Sequence, residues 1–209
     1  MTTSAQYYEW DVTPFVQAQK TAGASAVSLA VRMESAVDHA PDTFQSKEAA
    51  SNRPELVVTA GPPALAGHYK ILARHSGKAV VVQGASTSNG ANVFQWTYGG
   101  AATNDEWLFT AIGGGYYKIT ARHSGKAMVV QNAATANGGD VIQWSYTSAP
   151  AANDEWAAEG VDGGYYRLVN RHSGKVLNIA GAGTANGANA DQWSWANVPQ
   201  QQFQILAVP

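Results

Sequence analysis

The sequence predicts an all-β protein dominated by three copies of one four-stranded unit, and three observations carry that reading. An Arg-His-Ser-Gly-Lys block recurs at Arg74, Arg122 and Arg171, with spacings of 48 and 49 residues. A Gln-Trp pair recurs at Trp96, Trp144 and Trp193 with the same two spacings. Repetition at a fixed period of this length marks a fold assembled from supersecondary units. The third observation is composition: 21 Gly, 7 Trp and 9 Tyr, with only 13% charged residues, about half the usual share. That mix suits short strands and tight turns rather than long helices.

The elements follow in order within each copy. Tyr69-Lys70-Ile71-Leu72-Ala73 reads as a short strand ending in the His-Ser-Gly turn, where Gly77, Gly125 and Gly174 supply a positive φ. Lys78 to Val82 is a second, apolar strand. A polar Gly/Asn stretch from Gly84 to Asn92 turns the chain into Val93-Phe94-Gln95-Trp96, and a loop leads to Trp107-Leu108-Phe109 as the fourth strand. Twelve short strands joined by turn chemistry result. Three units are too few for a propeller, so they are expected to close into a barrel capped by hairpins. The repeats occupy about 65–112, 113–161 and 162–209, after a Pro/Gly linker at 61–64.

Residues 1–60 do not repeat. Val27-Ser28-Leu29-Ala30-Val31-Arg32-Met33 alternates strictly and reads as a half-buried strand, with Leu56-Val57-Val58 as another. Asp11-Val12-Thr13-Pro14 has the residues of a short helix start. Sixty residues with two or three strands cannot close a two-sheet sandwich by themselves. The fragment is expected to be completed by a missing portion or by a neighbouring chain, which would make a homo-oligomer through these strands.

Several function classes are excluded. With no cysteine there is no disulfide, thiolate metal site or cysteine nucleophile. A formal net charge of −2 gives no electrostatic footprint for nucleic acid or an anionic membrane, and no apolar run reaches the roughly 18 residues needed to span a bilayer. Asp105-Glu106 and Asp154-Glu155 invite a reading as catalytic carboxylate pairs. Neighbours on extended chain point to opposite sides, so they do not flank one substrate bond. His75, His123 and His172 sit in hairpin turns without a carboxylate, a poor metal set. The Gly-Ala-Gly-Thr-Ala-Asn-Gly run at Gly181 follows no βαβ pattern and is a turn. No catalytic residue, metal or cofactor is expected.

Over residues 65–209 the repeats resemble the ricin B-type β-trefoil, the fold of the family 13 carbohydrate-binding modules. Each repeat of that family closes on Gln-x-Trp; here the positions read Asp105-Glu106-Trp107, Asp154-Glu155-Trp156 and Gln201-Gln202-Phe203. Many such modules carry one disulfide per repeat, at positions that read Ala79/Tyr98, Ala127/Tyr146 and Val176/Trp195 here. Each pair is either core filler or, through its aromatic, a wider sugar-stacking surface.

The resemblance implies carbohydrate binding by an aromatic plate with polar groups around it. In the third repeat the family positions hold Asn178, Asp191, Trp193, Gln200 and Gln201. In the first they hold Val81, Phe94, Trp96, Asn104 and Asp105, and in the second Val129, Ile142, Trp144, Asn153 and Asp154. Valine at the position of the family's anchoring Asp leaves the first two sites degenerate. They bind weakly, bind something other than galactose-like sugars, or only pack.

The N-terminal blocks Trp10-Asp11-Val12-Thr13, Phe44-Gln45-Ser46-Lys47-Glu48 and Arg53-Pro54-Glu55-Leu56-Val57-Val58-Thr59 resemble the closing part of a DNRLRE-type β-sandwich, a family of bacterial extracellular proteins. Together the resemblances imply a noncatalytic, secreted bacterial module whose partner is a polysaccharide or glycan. The first residues, MTTSAQYYEWD, lack the basic and apolar regions of a signal peptide, so an exported protein is expected to carry its signal upstream or to use another route. The rival expectation is an extracellular assembly protein whose incomplete sandwich pairs with neighbours.

Overall fold

The computed structural model describes residue 65 and residues 67–147 and 152–209, all in the second of the chain's two units, Val58–Pro209. The strands expected within residues 1–60, and their completion by a neighbour, lie outside the described residues.

Twelve strands appear, in the order expected: β1 Gly67–Ala73, β2 Ala79–Val82, β3 Val93–Trp96, β4 Trp107–Gly113, β5 Tyr116–Ala121, β6 Ala127–Val130, β7 Gly139–Trp144, β8 Glu155–Gly160, β9 Tyr166–Asn170, β10 Val176–Ile179, β11 Ala190–Trp193 and β12 Phe203–Ala207. No α-helix is present among the described residues. The first and fourth strands of each repeat form a ring: β1 pairs β4, β4 pairs β5, β5 pairs β8, β8 pairs β9, β9 pairs β12, and β12 returns to β1, all antiparallel. Closure leaves the barrel without a free edge. The second and third strands make three hairpins, β2–β3, β6–β7 and β10–β11. These meet one another through β11–β7 and the bridges Asn92–Ile142 and Phe94–Asn189. This is the β-trefoil.

The core follows from strand alternation. Ile71, Phe109, Ile119, Leu168 and Phe203 point into the barrel, joined by Met128, Leu177 and Ile179 from the hairpins. The closing aromatics Trp107, Trp156 and Phe203 are fully buried. Each indole N–H then needs a partner, and Trp107 Nε1 donates to Val80 O at 2.8 Å while Trp156 Nε1 donates to Met128 O at 2.9 Å. The closing aromatic therefore ties the barrel to its own hairpin.

The repeated motifs are explained by the junctions between repeats. Gly77, Gly125 and Gly174 all adopt φ 67°, as a tight turn demands. The serine of each block donates to the glutamine preceding the tryptophan: Ser76 to Gln95, Ser124 to Gln143, Ser173 to Gln192. That buried glutamine spends both amide hydrogens on the loop of another repeat. Gln95 binds Gly183 and Ala185, Gln143 binds Ser86 and Ser88, and Gln192 binds Ala134 and Ala136. The arginines bridge the same junctions, Arg122 to Glu106 at 2.7 Å and Arg171 to Glu155 at 2.6 Å. Arg-His-Ser-Gly-Lys is thus a turn and a clamp.

Candidate functional site

Three tryptophans break the pattern of burial. Trp96, Trp144 and Trp193 are 47%, 44% and 44% exposed, whereas the closing tryptophans are wholly buried. Each ends the third strand of its repeat, and its six-membered ring edge lies against the glycine of an Asn-Gly turn from a different repeat. A Cβ at Gly90 would sit 3.7 Å from Trp144 Cζ3, one at Gly138 3.7 Å from Trp193 Cζ3, and one at Gly187 3.9 Å from Trp96 Cζ3. The Asn of that turn also accepts from the residue after the tryptophan: Asn137 Oδ1 from Ser194 N, Asn89 Oδ1 from Ser145 N, Asn186 Oδ1 from Thr97 N. The plates are braced, with an apolar surface left open to solvent.

Beside Trp193 lies a cavity of about 320 Å³ that brings together Asn178, Asp191, Trp193, Gln200 and Gln201 with Gly181, Ala182, Ala196 and Val198. The five residues singled out in the third repeat therefore converge. Asn178 and Asp191 face each other across β10–β11, with Asn178 Nδ2 donating to Asp191 Oδ1 at 2.6 Å. Burial raises the Asp191 carboxyl above the ordinary carboxylate value, Asn178 pulls it down, and the nearby Asp140 pushes it up. Gln201 is nearly inaccessible, and its amide is engaged with Ala196 N and Ser194 O. It holds the loop that forms the cavity wall.

The second repeat has a counterpart of about 230 Å³ containing Trp144, Asn153 and Asp154 over Val129 and Ile142. Asn153 Nδ2 donates to Val130 O, and Asn104 does the same to Val82 O in the first repeat. Asp105 Oδ2 accepts from Gly99 N and Gly100 N, and Asp154 Oδ2 from Thr147 N, so both carboxylates staple the loop as Gln201 does. Their Oδ1 atoms are buried without a partner. Glu106 and Glu155 turn the other way, to Tyr98 and Arg122 and to Tyr146 and Arg171. Burial first, then the neighbouring glutamate, raises both tyrosine hydroxyls above the usual phenol value. The rings of Tyr98 and Tyr146 pack, partly buried, on the clusters around Ala79 and Ala127. Trp195 is half-buried beside the Arg167 guanidinium. Among the described residues no group of His, Cys, Asp or Glu could hold a metal ion.

Sequence reasoning missed one cavity wall. After the second strand each repeat makes a 3-10 turn, Gln83–Ala85, Gln131–Ala133 and Ala180–Ala182. In each the last alanine has a positive φ of 49°, 48° and 51°. Such backbone is costly for alanine and gathers at functional sites. Only the alanine recurring two residues into each turn carried a signal in the sequence.

The family model for ricin-type β-trefoil lectin-like domains matches residues 57–144 and 152–209. The chain belongs to this family. Residues 1–60 match the family model of carbohydrate-binding module family 96. Among solved structures the ricin-type domain is similar to ThreeFoil, a designed threefold-symmetric protein. The two are 48% identical with a TM-score of 0.66, over 68% of this chain and 99% of ThreeFoil. It is also similar to part of an exo-β-1,3-galactanase from Clostridium thermocellum, at 32% identity and a TM-score of 0.65. That match covers 68% of this chain but only 30% of the galactanase. The Rhizoctonia solani agglutinin shares the fold at 15% identity and a TM-score of 0.61, over 71% of this chain and all of the agglutinin. No curated protein matches the chain.

Proposed function

We propose that the protein is a noncatalytic carbohydrate-binding module whose third repeat holds a sugar through Trp193, Asp191 and Asn178. The observation that carries this reading is one exposed indole face beside a carboxylate and an amide in one cavity. A pyranose has a face of C–H bonds and a rim of hydroxyls. The face packs on an aromatic plate, and the hydroxyls need acceptors and donors in return for lost water. Asp191 supplies the acceptor, the Asn178 side chain fixes it, and Gln200 stands on the rim. The lectin-like family, the family 96 match at the N-terminus and the likeness to a segment of a galactanase all support binding of a polysaccharide. The likeness to a Clostridium thermocellum galactanase and the low share of charged residues, 13% of the chain, favour a bacterial extracellular setting, with the module accompanying glycan-acting or surface proteins.

A glycan array with the wild type and Trp193→Ala tests the reading. Binding that disappears in the variant, with near-ultraviolet circular dichroism retaining native packing, is the expected result. An array showing no carbohydrate bound by the wild type would sink it.

A further inference from the structure

The turn that walls the third repeat's cavity is held from outside its own repeat. We propose that His75, in the first repeat, is a positioning residue for the third repeat's sugar site: acting through Gly183, it fixes Gly181 and Ala182 beside Trp193. The inference rests on the carbohydrate reading above and deepens it.

Gly181 and Ala182 line the Trp193 cavity from the 3-10 turn Ala180–Ala182. Their φ values of 60° and 51° lie in the left-handed region, which is costly for alanine. Such a turn persists only where its surroundings over-determine it. Within the repeat, Gly183 N donates to Ala180 O at 3.2 Å, the long end of the range for such a bond. Gly183 also stands where the other repeats have Ser86 and Ala134. Lacking a Cβ, its backbone has more freedom, so the wall depends more on what the Gly183 carbonyl receives.

That carbonyl receives two donors from the first repeat. His75 Nε2 lies 2.9 Å from it and Gln95 Nε2 2.6 Å. A carbonyl only accepts, so His75 carries its proton on Nε2. Gln95 also holds Ala185 and Ser76 and so belongs to the junction between repeats. His75 has no such second task, because its Nδ1 is buried without a partner. An apolar ring would avoid that cost, so what the histidine contributes is the bond to Gly183. His123 stands at the same position one repeat on, with Nε2 2.9 Å from Ser86 O and Nδ1 likewise unpartnered. It serves the first repeat's turn and leaves the third's untouched.

The test is titration of the full chain with galactose and with the highest-ranked glycan of an array, in wild type, His75→Phe, His75→Gln and His123→Phe. His75→Phe should weaken binding through Trp193 roughly threefold to tenfold, the range set by one hydrogen bond's net contribution. His75→Gln should restore it, because its amide N–H reaches the same carbonyl. His123→Phe should cost similar stability yet leave Trp193 binding unchanged, which a general loosening of the fold would not do. Amide exchange reads the wall without a ligand: the Gly183 N–H should exchange faster in His75→Phe and not in His123→Phe. The positioning role is overturned if His75→Phe binds like the wild type, if both substitutions weaken binding equally, or if His75→Gln binds no better than His75→Phe. In each of those cases loss of binding in Trp193→Ala still upholds the sugar site. If no sugar binds the wild type, the carbohydrate reading falls and this role with it.

Discussion

Asn178 donates its side-chain amide to Asp191 at 2.6 Å across the β10–β11 hairpin, and both residues are buried at the floor of the Trp193 cavity. The bond occupies one carboxylate oxygen and leaves the other for a ligand. It also partly offsets the cost of burying a charge there.

Asp191→Asn should therefore reduce sugar binding by tenfold or more, because the charged acceptor is lost, without lowering the melting midpoint. Titration and thermal unfolding of the same sample read the two effects separately.

The raised carboxyl value of Asp191 sets a pH dependence. Its native-state value lies above the unfolded one, so the native state takes up the proton first. This residue's contribution to stability consequently falls as pH rises from the ordinary carboxylate value through the raised one, and is fully recovered below. Sugar binding should run oppositely, weakening on acidification at a higher pH than an ordinary aspartate gives. A binding profile unchanged between wild type and Asp191→Asn across the acid range would count against this role.

Gly138 combines a φ of 80° with a close approach to Trp193. Gly138→Ala should cost about 1 kcal/mol through backbone strain and leave binding at Trp193 largely intact, because the added Cβ would meet its ring at an ordinary contact distance of 3.7 Å. Chemical denaturation and titration check it.

Gln143 is buried and holds three partners, Ser124, Ser86 and Ser88, in two repeats. Gln143→Ala leaves a cavity and unpaired carbonyls, and should destabilise the fold by roughly 2–4 kcal/mol. Trp144→Ala, one residue away but facing solvent, should change stability far less.

The ring of barrel strands is complete within residues 67–207. A chain of residues 64–209 should melt in one cooperative transition close to that of the full protein. A broad, probe-dependent transition would show that the trefoil depends on what precedes it.

The sequence alone determined the trefoil and its plates. Matching spacings of Arg-His-Ser-Gly-Lys and Gln-Trp, 48 and 49 residues each, mark repeated units. The sequence's resemblance to the ricin-type family singled out Asn178, Asp191 and Trp193, with Gln200 and Gln201, as one set. What the sequence could not assign were the contacts between repeats, many of which join positions more than 50 residues apart. Only the folded barrel shows that Gln143 clamps Ser86 and Ser88, and that Gly138 lies against Trp193. Only there does it emerge that Gln201 is consumed by its own loop while Asp154 keeps an oxygen unpaired. A side chain's type sets the bonds it is able to make, and the tertiary structure decides which of them are already taken.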